Sequence, residues 1–180
     1  IWLIIKQKMI NTLALKEDRT LEESNILEPE KLKALLDNKK NIVFIDILDP
    51  EDEEIDFLMD TMQFHPITVE EVILPQQHSR IEFFDEYVFL TFHSILWQEK
   101  SKIRYSITTK EVDIYLGKNY IITVHEEPME SLKSIIERIK GNLNDFGKGI
   151  DFLLYIFLDK IVDNYFPILD RLNALLETVD

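Results

Sequence analysis

The chain has 180 residues, of which 46% are hydrophobic and 30% charged, so it can bury a globular core and does not have the composition of a disordered protein. Its 34 acidic and 20 basic residues give a formal net charge of -14, which repels nucleic-acid phosphates and anionic lipids and attracts cations. The absence of cysteine excludes disulfides and thiolate metal sites, and no apolar run approaches the ~20 residues that cross a bilayer. Because of the net negative charge, no nucleic-acid partner is expected.

The first part of the chain predicts a strand, a helix and a second strand. The first strand is expected at residues 10–15. Pro29 suits the first turn of a helix over residues 30–38, in which three leucines share one face. The continuous apolar run at residues 42–45 indicates a strand that is buried on both faces.

Two helices are expected next. Asp49 suits the N-cap of the first and Pro50 its first position, and acids fill its first turn. The second begins near His65, and its start has two interpretations. Thr68 is the N-cap in a capping box with Glu71, or His65 is the N-cap and is followed by a proline at the first helical position.

The region after residue 86 is rich in aromatic and β-branched residues, which favour strands. We predict strands at residues 87–97, 103–107, 112–116 and 120–124, the last two joined by a hairpin turn, followed by an amphipathic helix at 132–139. This order of elements predicts an α/β fold with a mixed parallel and antiparallel sheet sandwiched between helices (α/β/α).

The C-terminal segment has a helical heptad pattern. Apolar residues spaced alternately four and three apart form one seam: Leu154, Leu158, Ile161, Tyr165, Ile168, Leu172, Leu175 and Val179. Four more residues widen this stripe: Tyr155, Val162, Leu169 and Leu176. We expect a long C-terminal helix that bends at Pro167, because proline removes a helical hydrogen bond. The predicted organisation is an α/β/α domain over residues 9–145, with Met9 as a candidate native start, and a long helix over residues 146–180.

One stretch of the chain is acidic without compensation. Residues 41–79 contain no lysine or arginine but hold ten acids: Asp46, Asp49, Glu51, Asp52, Glu53, Glu54, Asp56, Asp60, Glu70 and Glu71. Acids in the first turn of a helix stabilise it by ~0.3–1 kcal/mol each, which explains those near residue 50 but not the lack of bases over the whole stretch. Such a surface attracts hard cations, which prefer carboxylate and water oxygens.

Four acids are candidate metal ligands. Glu70 and Glu71 are adjacent, although helix capping alone would account for Glu71. Asp159 and Asp163 are four residues apart, so they share one face of the C-terminal helix, where like charges cost ~0.2–0.5 kcal/mol. A solvated face is the simpler interpretation of this second pair, but a divalent cation would turn the repulsion into a weak site.

Enzyme signatures are lacking. The sequence contains no G-x-S-x-G, Walker A, G-x-G-x-x-G or H-E-x-x-H motif. No histidine has a second His or Cys at zinc-ligand spacing, and His93 and His125 are expected to be structural. We therefore expect no enzyme. Two alternatives stay open: a soluble acidic Mg2+-dependent enzyme, and an interaction module whose seam binds a partner helix.

Several blocks resemble the CorA family of divalent-cation transporters. They are HPI and EEV at residues 65–72, RIEFFDEYVFL at 80–90, LGKNYIITVH at 116–125, and DFLLY, LD, IVD and YFP within 151–167. Their order and spacing match over residues 42 to 180. Where the family commonly has Asp, this chain has Glu71, whose longer side chain moves the carboxylate outward.

This resemblance implies the cytosolic N-terminal domain of a magnesium transporter that is a homopentamer in its full-length form. The stalk helix, the Gly-Met-Asn pore signature and both membrane helices would lie outside this chain, placing the full-length protein in the cell membrane and this domain in the cytoplasm. Regulatory Mg2+, with Co2+ and other divalent cations as further candidates, would bind between neighbouring domains and stabilise the closed state. The resemblance assigns this role to Glu71, with Glu70 beside it, and to Asp159; the spacing of Asp163 adds it to the candidates.

Overall fold

The computed structural model describes residues 9–74, 78–101 and 104–177. In this part of the chain the strands are β1 (Met9–Leu15), β2 (Leu21–Ser24), β3 (Ile42–Leu48), β4 (Arg80–Phe83), β5 (Tyr87–Ser101), β6 (Arg104–Gly117) and β7 (Tyr120–His125). The helices are α1 (Pro29–Asp37), α2 (Asp52–Asp56), which runs into a π-helical turn (Phe57–Thr61), α3 (Pro66–Ile73), α4 (Glu130–Gly141), α5 (Leu143–Phe146), α6 (Ile150–Asp163) and α7 (Phe166–Leu176).

The strands form one mixed sheet in the order β2-β1-β3-β7-β6-β5-β4. β3 and β7 are parallel, and every other neighbouring pair in this order is antiparallel. The interior strand β3 is buried on both faces, as its continuous apolar run predicts, with Val43, Phe44 and Ile45 fully buried.

Helices cover both faces of the sheet. On one face, α1, the π-helical turn and α3 pack on alternate residues of β3 through Leu32, Leu35, Leu36, Phe57, Leu58, Val69 and Val72. On the other face, α4, α5 and α6 pack near Phe44 through Leu132, Ile135, Ile139, Phe146, Leu153, Ile156 and Phe157. Each such side chain contributes ~1.5–3 kcal/mol when it leaves water. The predicted α/β/α fold is confirmed.

The start of α2 differs from the prediction of Asp49 and Pro50 as its first residues. The N–H of Asp49 donates to the carbonyl of His125 at 2.8 Å, so this residue extends the pairing of β3 with β7, and its φ of 54° turns the chain away from the sheet. The N-cap is Glu51, which forms a capping box with Glu54. The Glu51 N–H donates to a carboxylate oxygen of Glu54 at 3.0 Å.

The C-terminal helical region is divided into α6 and α7 just before Pro167, which lies in the first turn of α7. The N–H groups of Asn164 and Tyr165 donate to carbonyls three residues earlier, which keeps the two linking residues helical. The bend expected at Pro167 is therefore a break between two consecutive helices.

The seam of this region differs in part from the expected one. Ile161 and Ile168, two members of the seam, are buried. At the start of α6, however, Leu153 and Phe157 are buried, whereas the heptad pattern places the adjacent Leu154 and Leu158 in the seam. Val179 lies outside the described residues. The four flanking residues are at least half exposed: Tyr155 (57%), Val162 (50%), Leu169 (51%) and Leu176 (67%). This apolar stripe is thus not covered by the described part of the chain.

Candidate functional site

Helix α3 carries the first pair of candidate ligands, and three hydrogen bonds fix its start. His65 is the N-cap, and its Nδ1 accepts from the N–H of Ile67 at 3.2 Å. The N–H of His65 donates to the Tyr87 hydroxyl at 2.9 Å, and the Tyr115 hydroxyl donates to the carbonyl of Thr68 at 3.0 Å. Of the two interpretations of this helix start, the one with His65 is confirmed and the capping box of Thr68 is wrong.

The two acids of this helix have different surroundings. Glu70 is exposed and has no ion pair within the described residues. Glu71 is only 8% exposed, and its carboxylate forms an ion pair with the guanidinium of Arg80 at the start of β4. A cation that approaches Glu71 must therefore compete with a fixed positive charge, whereas Glu70 is open to one.

The second pair lies on α6. Asp159 and Asp163 are both exposed and, in the ranges that the structure describes, neither forms an ion pair. They lie about one helical turn apart, because both belong to α6 and are four residues apart in the sequence. Because neither carboxylate is neutralised in an ion pair, both are open to a weakly bound, hydrated divalent cation.

The sheet separates the two pairs. Helix α3 packs on one face through Val69 and Val72, and α6 packs on the opposite face through Leu153 and Phe157. In agreement, the described residues contain no group of three or more His, Asp or Glu side chains that could hold a metal ion. One copy of this chain therefore does not bring the four candidates together.

Two buried polar clusters escaped the sequence analysis. On β6, Asp113 accepts a hydrogen bond from the Thr91 hydroxyl at 2.7 Å. On β3, Asp46 accepts one from the Thr123 hydroxyl at 2.5 Å, and its carboxylate lies 3.2 Å from Nε2 of His125. A signal was present, because each of these acids lies directly between two apolar residues of its strand.

The two strand histidines are fully engaged. The ring nitrogens of His125 lie 3.2 Å from Asp46 and 2.7 Å from the carbonyl of Glu127. Those of His93 lie 3.1 Å from the Ser79 hydroxyl and 3.2 Å from the Glu111 carboxylate. The expectation that these histidines are structural is confirmed.

A cavity of about 160 Å3 opens beside these clusters, and its wall includes His93, Glu111, Asp113 and His125. The pKa of the Asp113 carboxyl group is raised to about 7, chiefly by burial and also by the nearby Glu111, while the Thr91 hydrogen bond and Arg80 act in the opposite direction. This end of the sheet thus holds a carboxyl group that titrates near neutral pH.

Comparison with known proteins decides the family. The family model described as "CorA-like Mg2+ transporter protein" matches residues 39–180. The chain belongs to this family. Because the match covers most of the chain, the resemblance found in the sequence blocks is confirmed.

Individual relatives agree with the assignment to the CorA-like family. The chain is 29% identical to the putative metal ion transporter YfjQ of Bacillus subtilis over 139 residues, 75% of this chain and 41% of YfjQ. It is 27% identical to the cobalt/magnesium transport protein CorA of Methanocaldococcus jannaschii over 175 residues, 96% of this chain and 51% of that protein. The chain thus spans about half the length of these curated relatives.

A solved structure shares the fold. The soluble domain of CorA from Methanocaldococcus jannaschii superposes with a TM-score of 0.66 at 22% sequence identity, covering 98% of this chain and 64% of that one. This similarity supports the α/β/α fold of this CorA-like chain. Within the described residues, no helix combines the length and the apolar character needed to cross a membrane.

Proposed function

We propose that this chain is the cytosolic regulatory domain of a CorA-type magnesium transporter, located in the cytoplasm at the cell membrane. It senses intracellular Mg2+ through carboxylates that face each other between subunits, and the full-length protein is a homopentamer that reaches the membrane through helices beyond this chain. The family match over residues 39–180 carries this proposal. In this account residues 9–145 form the cytosolic α/β/α domain, and residues 146–180, which carry Asp159 and Asp163, lead toward the stalk.

The position of the candidate ligands supports a site between copies. Since the sheet separates Glu70 from Asp159 within one chain, these carboxylates meet only when α3 of one subunit approaches α6 of the next. Exposed carboxylates that approach each other repel, and a doubly charged cation between them reverses the sign of the interaction. Their hard oxygen atoms are the donors that Mg2+ prefers, largely through its retained waters.

Gating follows from differential binding. A ligand shifts a conformational equilibrium only when it binds one state more tightly than the other. Mg2+ between two acidic surfaces stabilises the packed arrangement, which we assign to the closed pore. When Mg2+ is lost, repulsion separates the subunits. Co2+ and other divalent cations would act at the same oxygens.

The pairing of Glu71 with Arg80 divides the four candidates into two classes. Glu70, Asp159 and Asp163 are exposed and open to a hydrated ion. Glu71 joins the site only if the guanidinium of Arg80 moves away from it. In this proposal Glu71 therefore binds Mg2+ only after its ion pair with Arg80 has opened.

The proposal predicts that Mg2+ protects the full-length protein against limited proteolysis through these acids. In the variant Glu70→Gln/Asp159→Asn, the Mg2+ concentration that gives half-maximal protection should rise at least about tenfold, because two of the facing charges are removed. Protease digestion over a Mg2+ series, read by gel densitometry, measures this concentration.

The matched control is Glu137→Gln/Asp170→Asn, which removes the same charge from exposed positions on α4 and α7. Its half-maximal concentration should equal that of the unmodified protein. Equal shifts in both variants would mean that only net charge matters and would contradict the assignment of Glu70 and Asp159.

One observation favours the alternative of a helix-binding interaction module. The exposed stripe formed by Tyr155, Val162, Leu169 and Leu176 repeats every seven residues and is suited to a second helix. The gene sequence beyond Asp180 distinguishes the two functions. Two apolar stretches of ~20 residues there would support the transporter, and a stop codon directly after it would support the module.

A further inference from the structure

A groove of about 510 Å3 opens on the α4–α6 side of the sheet, away from the carboxylates of α3. Its walls are the middle of β5, the first turn of α4 and the junction of α6 with α7. The lining residues include Ser94, Trp97, Ser131, Lys160 and Asn164. Its volume lies within the ~300–1,000 Å3 typical of small-molecule sites.

Two largely buried serines line this groove. Ser94 is 3% exposed and Ser131 is 6% exposed, and within the described residues neither side chain forms a hydrogen bond. Since neither hydroxyl has a partner among the described residues, both are available to donate a hydrogen bond to a molecule in the groove.

The amino end of α4 supplies further donors. This helix has 12 residues, and its N-cap, Met129, provides no side-chain acceptor for the first-turn N–H groups. The partial positive charge of a helix amino terminus attracts anions. The exposed Glu130 also lines the groove, and its negative charge opposes an anion there.

Of the two lysines at the groove, one is available. The ammonium group of Lys110 is occupied by the carbonyl of Pro128 at 2.8 Å and the carboxylate of Glu127 at 2.9 Å. Lys160 is half-buried and has no ion pair in the described ranges. The groove thus combines one available cation, two unpaired hydroxyls and an uncapped helix terminus.

We propose that this groove binds a phosphate group, free or as the monoester of a small metabolite, with Ser94, Ser131 and Lys160 as its side-chain ligands. A tetrahedral oxyanion accepts several hydrogen bonds at once, which matches a set of converging donors. This site shares no residue with the proposed Mg2+ site, but Lys160 directly follows Asp159 in α6.

Calorimetric titration of the protein with inorganic phosphate and, separately, with glycerol 3-phosphate tests this proposal. Both titrations are made without Mg2+ and at constant ionic strength set with sodium chloride. We expect saturable binding in at least one of them, and stronger binding of glycerol 3-phosphate would identify a monoester. Ser131→Ala and Lys160→Gln should each weaken the binding about tenfold, since each removes a hydrogen bond to a charged group.

Lys133→Gln is the matched control, because Lys133 is exposed on the same helix and does not line the groove. Its affinity should be unchanged. Heats equal to the sodium chloride blank in both titrations would overturn the proposal. So would an equal loss of affinity in Lys133→Gln and Lys160→Gln, because it would reflect net charge alone.

Discussion

Asp113 carries its carboxyl group into the layer between the sheet and α3, where the side chain is 4% exposed. Burial raises its pKa to about 7, from an ordinary value of 3.8. The folded state therefore holds a proton that the unfolded chain releases between these two pH values. By linkage, the contribution of this group to stability is fully present below about pH 4 and is lost as the pH rises toward 7.

Asp113→Asn should remove this pH dependence. The amide oxygen still accepts from the Thr91 hydroxyl, but the group no longer titrates. Between about pH 4.5 and 6.5 the difference in free energy of unfolding between variant and parent should change by up to about 1.4 kcal/mol per pH unit, in favour of the variant at higher pH. Urea unfolding at a series of pH values measures it.

Comparison with Glu111→Gln provides the control for this prediction. The Glu111 carboxylate raises the pKa of Asp113, but less than burial does. Its removal should therefore abolish only a smaller part of the pH dependence. A constant difference between Asp113→Asn and the parent from pH 4.5 to 7.5 would show that Asp113 does not titrate in this range.

Elements α3 and β4 are joined by the ion pair of Glu71 with Arg80. β4 has four residues and lies at the edge of the sheet, where it pairs only with β5 in the described structure. Phe83 of this strand is 81% exposed, so hydrophobic burial holds the strand only in part. The ion pair therefore contributes to fixing β4 against the helix.

Arg80→Gln should lower the free energy of unfolding by about 1–3 kcal/mol, because it leaves the buried carboxylate of Glu71 without its charged partner. The double variant Glu71→Gln/Arg80→Gln should regain part of this loss, since no uncompensated charge stays buried. Chemical denaturation of the three proteins gives the coupling energy between the two residues.

The exposed pair of Lys118 with Glu86 is a suitable control for this cycle. Lys118→Gln should change stability by less than about 1 kcal/mol, because solvent screens this pair. If Arg80→Gln were as mild as Lys118→Gln, the link between α3 and β4 would have no energetic role.

The sequence predicts elements well where burial is periodic and poorly where elements are short. The apolar run of β3 and the leucines of α1 place both elements within a few residues. The four-residue strands β2 and β4 and the helix α5 were missed, because four residues do not establish a period. β6 was predicted as two strands, since exposed polar residues at 108–109 interrupt a ladder that is continuous in space.

At the scale of the whole molecule, the sequence identifies acids but not their distances. Family resemblance and local spacing indicate Glu70, Glu71, Asp159 and Asp163, while the sheet between α3 and α6 is visible only in the fold. The ion pair of Arg80 with Glu71 was equally out of reach, because the pairing of separate elements determines it. A net charge of -14 adds a long-range term that favours cation binding wherever these surfaces meet.

Calorimetric titration of the full-length protein with MgCl2 tests the central claim most directly. Carboxylate sites with retained waters bind weakly, so we predict saturable uptake with a dissociation constant of about 10-4 to 10-3 M, by analogy with the weakest carboxylate sites for Ca2+. The uptake should disappear when Glu70, Glu71, Asp159 and Asp163 are all replaced by their amides. No saturable uptake at millimolar Mg2+, or uptake that survives this replacement, would contradict the account.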